Sequence, residues 1–128
     1  MYNGKKEVDR MKAAIVGSRT INADISAYLP SGIDEIITGG AEGIDRCAER
    51  YADKMFISKH VIRPDYEKNG QSAPIIRDRR IVELSDIVIA FWDGESPGTA
   101  YTVKYARKLG KPVKVWVLKK GTNDTFEA

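Results

Sequence analysis

The chain has 128 residues, 42% of them hydrophobic, which suits one domain with a real core and excludes global disorder. Lys plus Arg total 21 against 18 Asp plus Glu, a formal +3 that permits an anionic ligand without demanding nucleic acid. No apolar run approaches the roughly 20 residues of a bilayer span, "MYNGKKEVDRMK" lacks the apolar centre of a signal peptide, and a single Cys47 excludes a disulfide framework and a thiolate metal cluster. A cytoplasmic protein with no membrane partner is the expectation.

Residues 1–11 read as a polar extension, 12–118 as the domain and 119–128 as a polar tail. "AAIVG" (Ala13 to Gly17) predicts a buried strand ended by glycine. "INADISAYL" (Ile21 to Leu29) predicts a short helix stopped by Pro30. "DEIIT" (Asp34 to Thr38) is a second strand. From Gly43, apolar Ile44, Cys47, Ala48, Tyr51 and Met55 recur at helical spacing. "SKHVIR" (Ser58 to Arg63) is a third strand, and "PDYEKNGQSAP" (Pro64 to Pro74) reads as a loop. A helix capped by Ser72 or Ala73, with Pro74 in its first turn, follows to about Leu84. "DIVIAFW" (Asp86 to Trp92) is a fourth strand. Ser96 as N-cap and Pro97 in the first turn open a helix to Leu109, where Gly110 and Pro112 end it. "VKVWVL" (Val113 to Leu118) is the last strand, and Trp116 on it leaves open a homo-oligomer paired through this edge or a core role.

Apolar strands alternating with helices argue for a parallel sheet covered on both faces. The expected fold is α/β, a Rossmann-like doubly wound sheet of about five strands in order 3-2-1-4-5, in three α/β/α layers. Ligands then bind beyond the C-terminal strand ends, where the order reverses between the first and fourth strands.

Three glycine-bearing segments fall at that edge: Gly17 to Thr20, with Ser18 and Arg19; Thr38 to Gly43, with Gly39, Gly40 and Ala41; and Asp93 to Thr99, with Gly94, Ser96 and Gly98. Two open into helices, whose free amides hold phosphate. Glycine lets an anion approach the backbone, and Arg19 adds a charged fork. Asp45 near a helix start can complement its dipole or face the ligand. "RDRR" (Arg77 to Arg80) is either a solvated face or an anion-facing one. Cys47 and His60 read as structural. No GxxxxGK[ST], GxGxxG or metal-ligand spacing is present, so neither a metal nor a standard dinucleotide cofactor is expected.

"IVGSRT", "ITGGAEGID", "PDYEKNGQSAPIIRDRRIVELSDIVIAFWDGESPGTA" and "ARKLGKPVKVW" resemble the SLOG superfamily, in its small YspA-like branch, over roughly residues 12–118. The resemblance implies a Rossmann-like fold that binds a nucleotide or a nucleotide-derived small molecule. The DNA-processing protein A branch carries similar Gly-Ser-Arg and Gly-x-Ala-x-Gly-Ile-Asp motifs, and an Arg-Asn-Arg that is Arg77-Asp78-Arg79 here. It binds single-stranded DNA with a larger chain. The cytokinin-activating LOG branch has glutamates after a Pro-Gly-Gly-x-Gly-Thr motif. Here Ser96-Pro97-Gly98-Thr99 is followed by Ala100, Tyr101 and Thr102, with no carboxylate for N-glycosidic cleavage. Asp65-Tyr66 stands where the branch pattern has Asp-Trp, an aromatic able to stack on a base.

The leading expectation is binding or sensing of a phosphorylated nucleotide-type ligand, with no catalytic residue assigned. One alternative is a phosphoribohydrolase or N-glycosidase drawing its acid or base from Asp45, Asp65, Asp78 or Asp93. A second is single-stranded nucleic-acid binding, disfavoured by a net +3 without a dense basic-aromatic stripe.

Overall fold

The structure is a computed structural model that describes residues 10–119. The extension 1–11, apart from residues 10 and 11, and the tail 119–128, apart from residue 119, lie outside the described residues. Five strands form one sheet: β1 (Lys12–Gly17), β2 (Glu35–Thr38), β3 (Ser58–Val61), β4 (Ile87–Trp92) and β5 (Val113–Val117). All pairings are parallel, and the order is β3-β2-β1-β4-β5, as expected.

Period-two geometry explains the apolar run of β1. Ala13 and Ile15 enter one core while Ala14 and Val16 enter the other. β4 divides likewise, with Ile89 and Phe91 on the first side and Val88 and Ala90 on the second. Helix α1 (Ile44–Lys54) covers the first face through Ile44, Cys47, Ala48 and Ala52. Met55 lies just past its end and is exposed, so it is not part of that stripe. Helices α3 (Ala73–Leu84) and α4 (Pro97–Lys108) cover the second face with Ile81, Val82, Val103 and Ala106. Gly110, at φ +76°, ends the α4 region as the glycine signal predicts.

Three expectations are corrected. Ile21 to Leu29 is not a helix; only a 3-10 turn forms, at Ser26–Tyr28. Asp24 accepts hydrogen bonds from the Ser26 amide (3.0 Å) and hydroxyl (2.7 Å), offering the backbone a turn instead of a helix. Ile21, Ala23 and Ile25 are buried at a spacing of two, which is extended-chain spacing. The loop 64–74 contains helix α2 (Tyr66–Asn69), whose N-cap Asp65 accepts from the Lys68 amide at 3.1 Å, then a 3-10 turn at Gly70–Ser72. Neither Ser72 nor Ser96 makes a side-chain capping bond to the helix it precedes.

Trp116 packs edge-on to Tyr28, ring centroids 5.0 Å apart, and Tyr28 packs in turn on Phe91. Its indole therefore serves the core, and Val117 is the exposed apolar residue of this edge. Among the described residues no helix is long and apolar enough to cross a membrane, and no group of His, Cys, Asp and Glu is arranged to hold a metal ion.

Candidate functional site at the switch point

A cleft of about 400 Å³ opens beyond the C-terminal ends of β1 and β4. That is within the range of small-molecule sites. Its walls come from four places: the loop after β1 (Gly17 to Thr20), the approach to α1 (Ala41, Asp45), one face of α3 (Pro74, Arg77, Asp78, Ile81) and the start of α4 (Ser96 to Thr99, with Thr102).

The glycines after β1 and β2 admit parts of the protein itself. A Cβ on Gly17 would stand 2.4 Å from the Phe91 carbonyl oxygen and 2.8 Å from Ile44. On Gly39 it would meet the Arg77 guanidinium at 2.7 Å, and on Gly40 that of Arg63 at 2.5 Å. Gly43, at φ +75°, lies against the Ser18 and Arg19 backbone, at 2.5 Å and 2.6 Å from a Cβ built on it. Close approach does demand these glycines, and the approaching atoms include backbone and two arginines.

The two helix starts differ accordingly. At α1, the Ile44 amide donates to the Ser18 carbonyl (3.2 Å) and the Ala41 amide to Asp45 Oδ2 (3.1 Å), so this turn is internally satisfied. At α4, the Gly98 and Thr99 amides have no hydrogen-bond acceptor among the described residues, and Gly98 faces open space. This is the free helix N-terminus of the cleft.

Hydroxyls and a carboxylate hold the two loops together. Ser18, fully buried, accepts from the Asp93 amide (3.0 Å), and its Oγ lies 3.0 Å from Ser96 Oγ. Asp93 accepts from the Glu95 and Ser96 amides (2.9 and 2.8 Å) and from Thr20 Oγ1 (2.8 Å). Those amides hold the Asp93 carboxyl far below the usual carboxylate range. It stays ionised and is a loop fastener, not an acid catalyst. Gly94, at φ +86°, makes the turn between them and does not line the cleft.

Arg77 is committed to the fold. Its Nε donates to Asp78 Oδ1 (2.7 Å) and its Nη1 to the Gly39 carbonyl (2.7 Å), with the Ile62 carbonyl at 3.5 Å. It thus ties the α3 wall to the turn after β2. It lies in the second turn of α3. Burial pushes the Asp45 carboxyl up, opposed chiefly by the Ala41 amide. Burial also pushes Asp78 up, opposed by the charge and hydrogen bond of Arg77. Arg19, by contrast, is exposed on the rim and makes no hydrogen bond or ion pair among the described residues.

Of the residues singled out in the sequence, the cleft brings together Gly17, Ser18, Arg19, Ala41, Asp45, Arg77, Asp78, Ser96, Gly98 and Thr99. Thr38 is buried beneath it, with Oγ1 donating to the Ile15 carbonyl at 2.8 Å. Gly39, Gly40 and Gly43 stand behind its wall. Asp65 and Tyr66 lie outside; Asp65 is a helix cap and Tyr66 is 58% exposed. The sequence reading missed Val16, Pro74, Ile81 and Thr102. Pro74, Arg77, Asp78 and Ile81 share one helical face, so their spacing was the available signal.

No protein-family model matches the chain. In fold, it is similar to DNA processing protein A from Helicobacter pylori, a protein described for its single-stranded DNA binding mode. The TM-score is 0.63 at 21% identity, covering 98% of this chain and 74% of that one. The likeness is one of fold, a five-stranded Rossmann-like α/β architecture. In sequence, it is similar to the Gene 61 protein of Mycobacterium phage D29, 32% identical over 84 residues that span 61% of this chain and 67% of that protein. By that similarity, the chain belongs to the family of the mycobacteriophage Gene 61 protein.

Proposed function

We propose that the switch-point cleft binds the phosphate of a nucleotide or nucleotide-derived ligand, and we place the chain in the small YspA-like branch of the SLOG fold, acting in the cytoplasm. One observation carries the reading: the unpaired Arg19 guanidinium and the Gly98 and Thr99 amides, which have no acceptor among the described residues, border the same cleft. Both favour a doubly or singly charged oxyanion, Arg19 through a two-bond fork and the α4 N-terminus through its dipole. Across the cleft, Asp78 can accept a hydrogen bond from a ribose hydroxyl or a base amine. Arg77 supports this wall by holding Asp78 and is a positioning residue.

The second reading is single-stranded DNA in the same cleft, favoured by the structural similarity to a DNA processing protein A. The N-glycosidase reading keeps only Asp45 and Asp78 as proton donors, because Asp93 is held ionised and Asp65 lies outside the cleft. Calorimetric titration with nucleoside monophosphates, beside fluorescence titration with an oligothymidylate, tests the assignment. Arg19→Lys should weaken the bound species by about 1–3 kcal/mol, the range for a hydrogen bond to a charged group. Unchanged affinity for both species would remove Arg19 from the site. Tight oligonucleotide binding without mononucleotide binding would replace the first reading by the second. Release of free base would establish the enzyme.

A further inference from the structure

Residues 97–119 contain six Lys and Arg and no Asp or Glu, so the rest of this +3 chain is net negative. The positive charge is concentrated on α4, its exit and β5. Lys111 is accounted for, because its Nζ caps the C-terminal end of α3 by donating to the Ser85 carbonyl at 2.6 Å. Arg107 and Lys108 complement the C-terminal dipole of α4. Lys104 has no such role. It lies one turn before Lys108 on the same exposed side of α4, and among the described residues neither is in an ion pair.

The neighbouring helix adds to this surface. Arg79 of α3 donates from Nε to Tyr101 Oη at 2.6 Å, and its guanidinium stands 5.9 and 5.6 Å from the ring centres of Tyr101 and Tyr105. The two rings are themselves stacked, 6.3 Å apart and 9° from parallel. Arg80 follows, exposed. A basic-aromatic stripe that no single segment of the sequence displays is therefore assembled from two helices, with one carboxylate in it, Glu83, which accepts from Tyr105 Oη at 2.7 Å. The first ring of the stripe, Tyr101, adjoins Thr102, which lines the cleft.

We propose that this α3–α4 surface is a track for the backbone of single-stranded nucleic acid, running from the cleft along α4 for about 18 Å, the length of its 12 residues. Lys104, Lys108 and Arg80 neutralise successive phosphates, and the tyrosine pair holds Arg79 extended among them. A second copy of this chain is a poor occupant, because a two-fold contact would set like charges against each other. The proposal deepens the single-stranded reading of the cleft and rests on it.

The test is fluorescence anisotropy of labelled oligothymidylate, longer than about 16 nucleotides, across a salt series. The proteins are the full chain, Lys104→Glu/Lys108→Glu and Arg19→Lys. The double variant should lose at least tenfold in affinity, and its log–log salt slope should fall by about 1.4, two contacts at about 0.7 each. Its mononucleotide titration should match the parent, since both lysines lie outside the cleft. Lys104→Gln/Lys108→Gln, with a smaller loss of the same sign, guards against misfolding of the charge reversal. If the double variants bind like the parent while Arg19→Lys binds weakly, the track is overturned and the cleft reading stands. If the parent does not bind the oligonucleotide at low salt, both are overturned. Equal loss on duplex DNA or polyglutamate would show a general polyanion surface and overturn the single-strand assignment.

Discussion

Replacing Arg77 by lysine separates a structural brace from a ligand contact. Arg77 makes two short charge-assisted bonds, to Asp78 and to the Gly39 carbonyl, from a side chain only 9% exposed, so solvent screens them little. A lysine ammonium keeps the charge but loses the fork, and one point donor cannot hold both partners in this geometry. Losing one such bond costs about 1.5–3 kcal/mol, and the partner left unpaired in a part-buried place adds to it. Arg77→Lys should therefore destabilise the domain by about 2–4 kcal/mol, a fall in Tm on the order of 10 °C. The assay is thermal unfolding followed by circular dichroism, with urea midpoints as a second probe. Arg19→Lys is the internal control and should unfold like the parent, because Arg19 is exposed and unpaired among the described residues. A Tm for Arg77→Lys within about 2 °C of the parent would refute the brace, and would return Arg77 to the direct ligand contact that its sequence position suggests.

Gly40→Ala should destabilise by about 1–3 kcal/mol in urea unfolding, because φ is +76° and a Cβ would press on Arg63 and on Val61 Cγ1 at 2.9 Å. The fold is thus not indifferent to this change. Asp45 and Asp78 have folded-state carboxyls raised by burial, so the folded state holds their protons to higher pH than the unfolded chain does. Their contribution must make stability rise as pH falls from neutral towards 3.8, and Asp78→Asn should flatten that slope in a pH series of urea midpoints. Asp93 has the opposite sign: it stabilises above 3.8 and loses that effect only in stronger acid. Asp93→Ala should therefore lower Tm at neutral pH and loosen the loop into α4, detectable as faster amide exchange at Glu95 and Ser96. Equal exchange in both proteins would mean that the loop holds itself.

The period-two apolar runs and the glycine and proline punctuation decided the strands and two of the long helices locally, and the parallel order followed from strand–helix alternation. Burial on both faces leaves little room for another pattern at residues 13–16 or 88–91. The turn-like Asp24 and the spacing of Ile21, Ala23 and Ile25 were also visible, but two short-range signals competed there and the side-chain hydrogen bonds to Ser26 won. The sequence also placed three glycine segments at one edge. It did not say what fills the space those glycines leave. Arg63, Arg77 and the Ser18–Arg19 backbone do so, from 15 to 38 residues away for the bonds of Arg77. Which arginine is spent on the fold and which stays unpaired depends on distances across the sheet that no local pattern encodes. The same holds for the basic stripe, whose halves meet only because α3 and α4 pack side by side and Arg79 reaches Tyr101, 22 positions away.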